Sequence, residues 1–207
     1  MSKVDGVGIA FCGGGFRSFA EVAAIEDMQR NDVRYGAVAG TSMGSLVAAL
    51  AASGASCERM AELLVAMDRC TVEEGVLRNM PLKVLNVISN KGMVDSAILE
   101  DYARAVLEGA GIRTFADFVM PVAITAVDIV SGELFVFTND EELFAADGGN
   151  WNTVCDLSLD VAKCCACSGS YPLVITPTKY LGRTFMDGGC RMNLPTPLFD
   201  RSMVDAV

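Results

Sequence analysis

A serine flanked by glycines at two-residue spacing is the first candidate for chemistry in this chain. Gly40, Ser42 and Gly44 form a Gly-x-Ser-x-Gly pattern that follows the apolar run 37–39 and precedes the apolar, helix-like run 46–50. Between a strand and a helix, this spacing presents the serine hydroxyl on a sharp turn, because glycine avoids the crowding that a side chain would cause there. The pattern favours a nucleophilic serine over an ordinary glycine-rich turn, which is the alternative.

The usual catalytic base for such a serine is absent, because the chain contains no histidine. Serine nucleophiles commonly transfer their proton to a histidine. Ser42 is therefore either not a nucleophile, or it uses a base of another residue type. A histidine-based α/β-hydrolase is excluded.

A run of three glycines is the second candidate. Gly13, Gly14 and Gly15 connect a predicted buried strand at 4–12 to a helical pattern that begins at Ser18. Amides in such a run are uncovered and can point at an anion, which suits a phosphate cradle or an oxyanion hole. No Gly-Lys-Ser/Thr follows, and Ser18 occupies the third glycine position of a dinucleotide fingerprint, so both of those motifs are excluded. A tight turn without a ligand is the alternative.

A carboxylate in a glycine turn is the third candidate. A short predicted strand at 184–186 runs into Asp187, Gly188 and Gly189. A carboxylate at a strand end can be presented to a cleft, although Asp-Gly-Gly on its own favours a plain turn.

Length, composition and charge limit the class of function. The chain has 207 residues, of which 52% are hydrophobic, and this predicts one domain with a sizeable core. The net charge of −10 argues against a nucleic-acid partner and gives no attraction to an anionic membrane. No apolar run reaches about 18 residues, and the N-terminus lacks a signal-peptide pattern, so the predicted location is cytoplasmic.

The eight cysteines are scattered, and several lie among small apolar residues. This favours reduced, buried thiols. Cys164 and Cys167 form a Cys-x-x-Cys pair, but no second pair and no histidine complete a zinc site. The sequence predicts neither a metal nor a cofactor.

Hydrophobic periodicity and breaker residues predict the other elements. They are helices over 43–52, 57–67, from Asp95 or Ser96 to Glu108 and over 159–167, a hairpin of strands at 121–128 and 133–138, and a surface loop over 139–150. The apolar segment 71–90 is predicted to be core or a helical pair, with a mobile apolar cover over a substrate pocket as the alternative.

Together these motifs, in this order and spacing, resemble the patatin-like phospholipase family over nearly the whole chain. The matching stretches are 13–17, 40–44, 167–172, 187–189 and 193–195. The resemblance implies an α/β fold, a three-layer α/β/α sandwich with a mostly parallel central sheet.

The resemblance also implies roles for the motif residues. Ser42 would be the nucleophile and Asp187 its base, a dyad that needs no histidine. The amides of the three glycines at 13–15 would form the oxyanion hole, and Arg17 would steady that loop. Gly40 and Gly44 would shape the nucleophile elbow, and Gly188 and Gly189 the aspartate turn.

The activity implied is hydrolysis of lipid acyl esters, of phospholipase A or esterase type, through an acyl-enzyme. The partners would be a lipid or other acyl-ester substrate and, in transient contact, a membrane surface. The alternative function is a catalytically silent lipid- or anion-binding module with the same fold.

Two features depart from the family pattern. Ser18 stands where the family usually has glycine, although serine is small and caps helices well. The chain stops at 203–207, which looks like the start of a further strand. Residues 1–207 are therefore predicted to form one patatin-like domain that ends early or is cut short at its C-terminus.

Overall fold

The computed structural model describes residues 4–73, 92–144 and 149–207. The strands are β1 (Val7–Phe11), β2 (Tyr35–Thr41), β3 (Gly92–Val94), β4 (Val122–Asp128), β5 (Leu134–Thr138), β6 (Trp151–Cys155), β7 (Leu173–Ile175), β8 (Thr178–Tyr180) and β9 (Arg183–Asp187). The α-helices are α1 (Glu21–Arg30), α2 (Met43–Ala52), α3 (Cys57–Glu73), α4 (Ser96–Gly109) and α5 (Val161–Gly169). Short 3-10 turns occupy Gly15–Ala20, Phe115–Asp117, Gly188–Cys190 and Thr196–Leu198.

The central sheet has the strand order β1-β2-β4-β5-β6. Its pairs are parallel except for the β4–β5 hairpin, which is antiparallel. Strand β9 pairs antiparallel with the end of β4, and β8 pairs with β9. The predicted α/β fold with a mostly parallel central sheet is confirmed.

One face of the sheet carries all the described α-helices, which contribute to a single hydrophobic cluster. Helix α2 is apolar on every side, and all its residues except Met43 are buried, as expected for a helix enclosed by others. The helix directly behind Ser42 is thus almost fully enclosed by its neighbours.

The opposite face is covered by shorter segments. Phe144 packs on Phe199 with ring centroids 5.2 Å apart, beside Leu143, Leu198 and Met203. In the described ranges this layer contains one short 3-10 turn, and all the described α-helices lie on the other side of the sheet.

Most predicted elements are confirmed, and three expectations need correction. Leu143 and Phe144 are buried, so the segment 139–150 is not wholly a surface loop; the two side chains anchor it to the sheet. Residues 203–207 form no strand: they turn and then bond to the edge of β1, with the Gly8 N–H donating to the Ala206 carbonyl at 2.8 Å. The helical pattern from Ser18 begins as a 3-10 turn, and α1 starts at Glu21.

The apolar segment 71–90 is mostly outside the described ranges. Residues 71–73 form the end of α3, and residues 74–90 lie outside the described ranges. The choice between core and pocket cover stays a prediction.

Candidate active site

Ser42 lies on the turn between β2 and α2, as the sequence predicts. Its backbone has φ 55° and ψ −132°, a conformation that a side-chain-bearing residue rarely adopts. A Cβ on Gly40 would lie 2.4 Å from the Gly44 carbonyl oxygen, and a Cβ on Gly44 would lie 2.5 Å from the Cys12 carbonyl oxygen. Both contacts are with main-chain atoms, so the turn requires glycine at both positions.

Both main-chain groups of Ser42, the N–H and the carbonyl, form hydrogen bonds to side chains. Its N–H donates to the hydroxyl of Ser168 at 2.7 Å, and its carbonyl accepts from the hydroxyl of Ser45 at 2.6 Å. Ser168 lies at the end of α5 and is fully buried. These bonds fix the main chain of Ser42 and leave its hydroxyl available for other contacts.

The sheet register brings Asp187 to Ser42. Thr41, the last residue of β2, pairs with Thr125 on β4, and the next residue of β4, Ala126, pairs with Asp187. Strand β9 thus continues along β4 where β2 stops. The Ser42 Oγ donates to Asp187 Oδ2 at 2.6 Å.

The carboxyl group of Asp187 is 2% exposed and has a second donor. Its Oδ1 accepts from the Gly189 N–H at 2.7 Å. Burial raises the pKa of Asp187 above 3.8, against the opposing effect of its hydrogen bonds from Ser42 and Gly189. A carboxylate with a raised pKa is a stronger proton acceptor than an ordinary aspartate, which suits a general base.

The aspartate turn requires glycine at Gly188, and it is closely packed at Gly189 as well. A Cβ on Gly188 would lie 2.2 Å from Thr125 Oγ1 and 2.6 Å from the Thr125 carbonyl oxygen. A Cβ on Gly189 would lie 2.8 Å from Asn193 Oδ1 and 2.9 Å from Asp187 Oδ1. The small residues allow the turn to pack against β4 while its carboxylate faces Ser42.

The glycine run lies beside the Ser42–Asp187 pair, and its three amides differ in whether they already donate a hydrogen bond. The Gly13 N–H donates to the Asn193 carbonyl at 3.0 Å, so this amide is already used. Within the described ranges, the amides of Gly14 and Gly15 donate no hydrogen bond, and both residues line the same pocket as Ser42. Of the three amides that the sequence analysis expects to be oxyanion donors, two are therefore available within the described ranges, those of Gly14 and Gly15.

The loop is supported by residues that the sequence did not single out for that role. Asn193 Nδ2 donates to the Gly13 carbonyl at 3.2 Å, and the Ser18 hydroxyl donates to the Cys12 carbonyl at 3.0 Å. Arg17 is exposed, and its guanidinium makes no hydrogen bond or ion pair to the described residues. The loop-supporting role expected of Arg17 is therefore not accompanied by any hydrogen bond or ion pair of its side chain to the described residues.

A pocket of about 710 Å³ opens beside the hydrogen-bonded Ser42–Asp187 pair and is lined by both residues and the glycine run. Its walls are apolar and come from α3, α4 and the β7 region, namely Met67, Ile98, Leu99, Tyr102, Val174 and Ile175. A pocket of this size with apolar walls can enclose an apolar ligand beside Ser42.

The Cys-x-x-Cys pair lies inside the fold. Cys164, Cys165 and Cys167 on α5 are buried, which confirms the prediction for these three residues. Burial raises the pKa of all three thiols, to about 12 for Cys165. They remain neutral and pack as small apolar side chains.

The comparison with known families agrees with this geometry. The family model for patatin-like phospholipases matches residues 9–200. The chain belongs to the patatin-like phospholipase family. The matched range includes the glycine run, the elbow and the aspartate turn of this family member.

Individual relatives were found in bacteria and in a giant virus. The uncharacterised protein YqhO of Bacillus subtilis is 28% identical over 206 residues, 96% of this chain and 67% of the relative. The uncharacterised protein R571 of Acanthamoeba polyphaga mimivirus is 23% identical over 198 residues, 93% of this chain and 61% of the relative. The patatin-like chain described here is thus shorter than both relatives.

A solved structure shares the fold. VipD from Legionella pneumophila superposes with a TM-score of 0.60 at 13% identity, covering 98% of this chain and 49% of VipD. This likeness confirms the patatin-like fold. Within the described ranges, no helix has both the length and the apolar character needed to cross a bilayer.

Proposed function

We propose that this protein is a serine lipid acyl hydrolase of phospholipase A or esterase type, acting through a Ser42–Asp187 dyad and an acyl-enzyme. The observation that carries the proposal is the 2.6 Å hydrogen bond from Ser42 Oγ to Asp187 Oδ2 in an apolar pocket. Family membership supports a lipid substrate. A dyad of this kind also accounts for a serine nucleophile in a chain without histidine.

In the first half-reaction, Ser42 Oγ attacks the acyl carbonyl carbon and passes its proton to Asp187 Oδ2. The carbonyl oxygen becomes an oxyanion, which the free amides of Gly14 and Gly15 stabilise by hydrogen bonding. Collapse of this intermediate breaks the ester C–O bond, and the proton held by Asp187 goes to the leaving alcohol. The products are the free alcohol and an ester of Ser42.

In the second half-reaction, water attacks the acyl-enzyme and gives a proton to Asp187. Collapse of the second tetrahedral intermediate releases the carboxylic acid and returns the proton to Ser42 Oγ. Throughout, the hydrogen bond from Gly189 to Asp187 Oδ1 orients the carboxylate, since it holds the oxygen that does not take the proton.

The substrate proposed is a lipid or other acyl ester, approached in transient contact with a membrane surface through apolar protein surface. The exposed side chains of Ile98, Tyr171 and Val174 at the pocket support such an approach.

The proposed location is cytoplasmic. We also propose one domain for residues 1–207, because the two hydrophobic clusters pack on opposite faces of a single sheet.

A fluorophosphonate probe and a p-nitrophenyl ester together test the proposal. The probe should label Ser42, and Ser42→Ala should lose labelling together with nearly all turnover, since losing a nucleophile costs about a million-fold. Equal labelling of the wild type and Ser42→Ala would exclude Ser42 as nucleophile. A folded wild type that neither labels nor hydrolyses any ester of a lipid panel would favour the silent binding module.

A further inference from the structure

Glu21, the first residue of α1, reaches back to the entrance of the glycine run. Its Oε1 accepts from the Cys12 N–H at 3.0 Å and from the Cys12 thiol at 3.2 Å. Its Oε2 is buried and has no hydrogen-bond partner, and no other buried side-chain nitrogen or oxygen in the described ranges shares that condition. Nothing in the acyl-transfer steps uses this carboxyl group.

The contacts of Glu21 act on the peptide group that enters the loop. Cys12 is held through its N–H by Glu21 and through its carbonyl by the Ser18 hydroxyl, at 3.0 Å in each case. The next residue, Gly13, is held through both its peptide groups by Asn193. Glu21 and Ser18 thus secure the loop from the helix side, and Asn193 secures it from the aspartate turn.

The cost of burying this carboxyl group argues that it does more than start a helix. A buried oxygen without a partner lowers stability, and helix N-termini are ordinarily satisfied by exposed caps. Burial raises the pKa of Glu21, and burial together with Glu21 raises the pKa of Cys12, so the thiol stays protonated and able to donate. The two donors on one carboxyl oxygen hold Cys12 through both its main chain and its side chain.

We propose that Glu21 is a positioning residue of the oxyanion loop, holding the Cys12 peptide so that the amides of Gly14 and Gly15 face the oxygen formed at Ser42. The proposal rests on the hydrolase function proposed above. It assigns Glu21 no contact with the substrate. Its effect should therefore appear in the transition state and not in substrate binding.

The test compares Glu21→Ala, Glu21→Gln and the control Ile25→Val. Ile25 lies on the same helix, is fully buried and belongs to the hydrophobic cluster, and it makes none of the hydrogen bonds that hold the loop, so its truncation should destabilise α1 while leaving those bonds in place. Glu21→Gln retains an acceptor oxygen for Cys12. Two quantities are measured on each folded protein: kcat and KM with a p-nitrophenyl ester, and hydrogen exchange at the Gly13 amide, whose bond to Asn193 reports the position of the loop.

Glu21→Ala should lower kcat by on the order of tenfold to a hundredfold with KM nearly unchanged, and should speed exchange at Gly13. Glu21→Gln should retain most of the wild-type kcat and most of the protection of the Gly13 amide from exchange. The control should melt at a lower temperature with wild-type kcat and exchange at Gly13.

Unchanged kcat and unchanged Gly13 exchange in Glu21→Ala would overturn the positioning role. So would an equal loss of kcat in Glu21→Ala and Ile25→Val, because the effect would then follow stability alone. If the wild type hydrolyses no ester while Gly13 exchange still responds to Glu21→Ala, the hydrolase proposal fails and the positioning of the loop by Glu21 stands.

Discussion

Thr41 and Thr125 share a buried hydrogen bond, 2.7 Å between their hydroxyl oxygens, directly beneath the turn that carries Ser42. Thr41 also donates to the Met192 carbonyl at 2.9 Å. Since a hydroxyl has one proton, Thr125 must be the donor to Thr41. Strand β2, which leads to Ser42, the central strand β4 and the segment after the aspartate turn are therefore linked by one chain of hydrogen bonds.

This direction of donation predicts unequal costs for two similar substitutions. Thr125→Val removes one hydrogen bond and should lower the free energy of unfolding by about 1 kcal/mol. Thr41→Val leaves both the Thr125 hydroxyl and the Met192 carbonyl without a partner, and should cost about 2 to 3 kcal/mol. Urea denaturation of both variants and the double variant measures this, with a coupling of at least about 0.5 kcal/mol expected. A more costly Thr125→Val would reverse the assigned donor.

Ser168 should support turnover through the main chain of Ser42. Ser168→Ala leaves the Ser42 N–H without its acceptor, which should lower stability by about 1 to 3 kcal/mol and loosen the position of Ser42, the proposed nucleophile. Ser170→Ala is the matched control, because its buried hydroxyl bonds to Ala166 and Thr178 and not to Ser42. We expect similar melting temperatures but a lower kcat only for Ser168→Ala. Equal kcat values would show that the Ser168 bond serves stability alone.

Two glycines near Ser42 should respond oppositely to alanine. Gly44→Ala places a Cβ 2.5 Å from the Cys12 carbonyl oxygen, and main-chain atoms cannot move aside cheaply, so a loss of about 3 kcal/mol or of folding is expected. Gly14 has an extended φ of −172° and its nearest contact would be 3.5 Å away, so Gly14→Ala should fold with near-wild-type stability.

The same Gly14→Ala variant tests the oxyanion hole. Its methyl group would stand in the pocket beside an amide proposed to stabilise the oxyanion, and turnover should fall by on the order of a hundredfold. Thermal melting and kcat are measured on both variants. A stable Gly14→Ala enzyme with full turnover would show that the loop only connects β1 to α1.

The elbow could be predicted from sequence because its determinants are local. Gly40, Ser42 and Gly44 lie within five positions, and the strand before and the helix after them follow from the apolar pattern of the same stretch. Asp187 could be recognised as a candidate for the same reason, since its strand and glycine turn are adjacent in sequence. Its contact with Ser42 depends on the register of β9 on β4, which no local pattern encodes.

The support of the site could not be predicted because it is made across long sequence separations. Asn193 holds Gly13 from 180 positions away, and Ser168 holds Ser42 from 126 positions away. The sequence analysis does not predict strand β6, because its sequence WNTVC has a weak alternation of apolar and polar residues and its side chains are at most partly buried. The residues 203–207 look like a strand in sequence but only bond to the edge of β1.

Asp187 should lower the stability of the fold at neutral pH. Burial raises its folded-state pKa above 3.8, so the unfolded chain loses this proton at a lower pH than the folded protein does. Stability is therefore unaffected below the unfolded pKa and falls as pH rises through the folded pKa. Asp187→Asn should be more stable than the wild type at pH 7, and this advantage should shrink as the pH approaches 3.8. An advantage that grows in acid would mean that the folded pKa is depressed.

The pH dependence of turnover should report the same carboxyl group. A base acts only when deprotonated, and the raised pKa of Asp187 in the substrate-free protein places the acidic limb of kcat/KM above pH 3.8. The rate of fluorophosphonate labelling should follow the same limb, because it measures the attack of Ser42 without deacylation. Asp187→Asn should abolish the limb together with nearly all turnover, whereas Asp156→Asn, at an exposed position, should keep both. A limb that survives in a folded Asp187→Asn protein would assign the base to another residue.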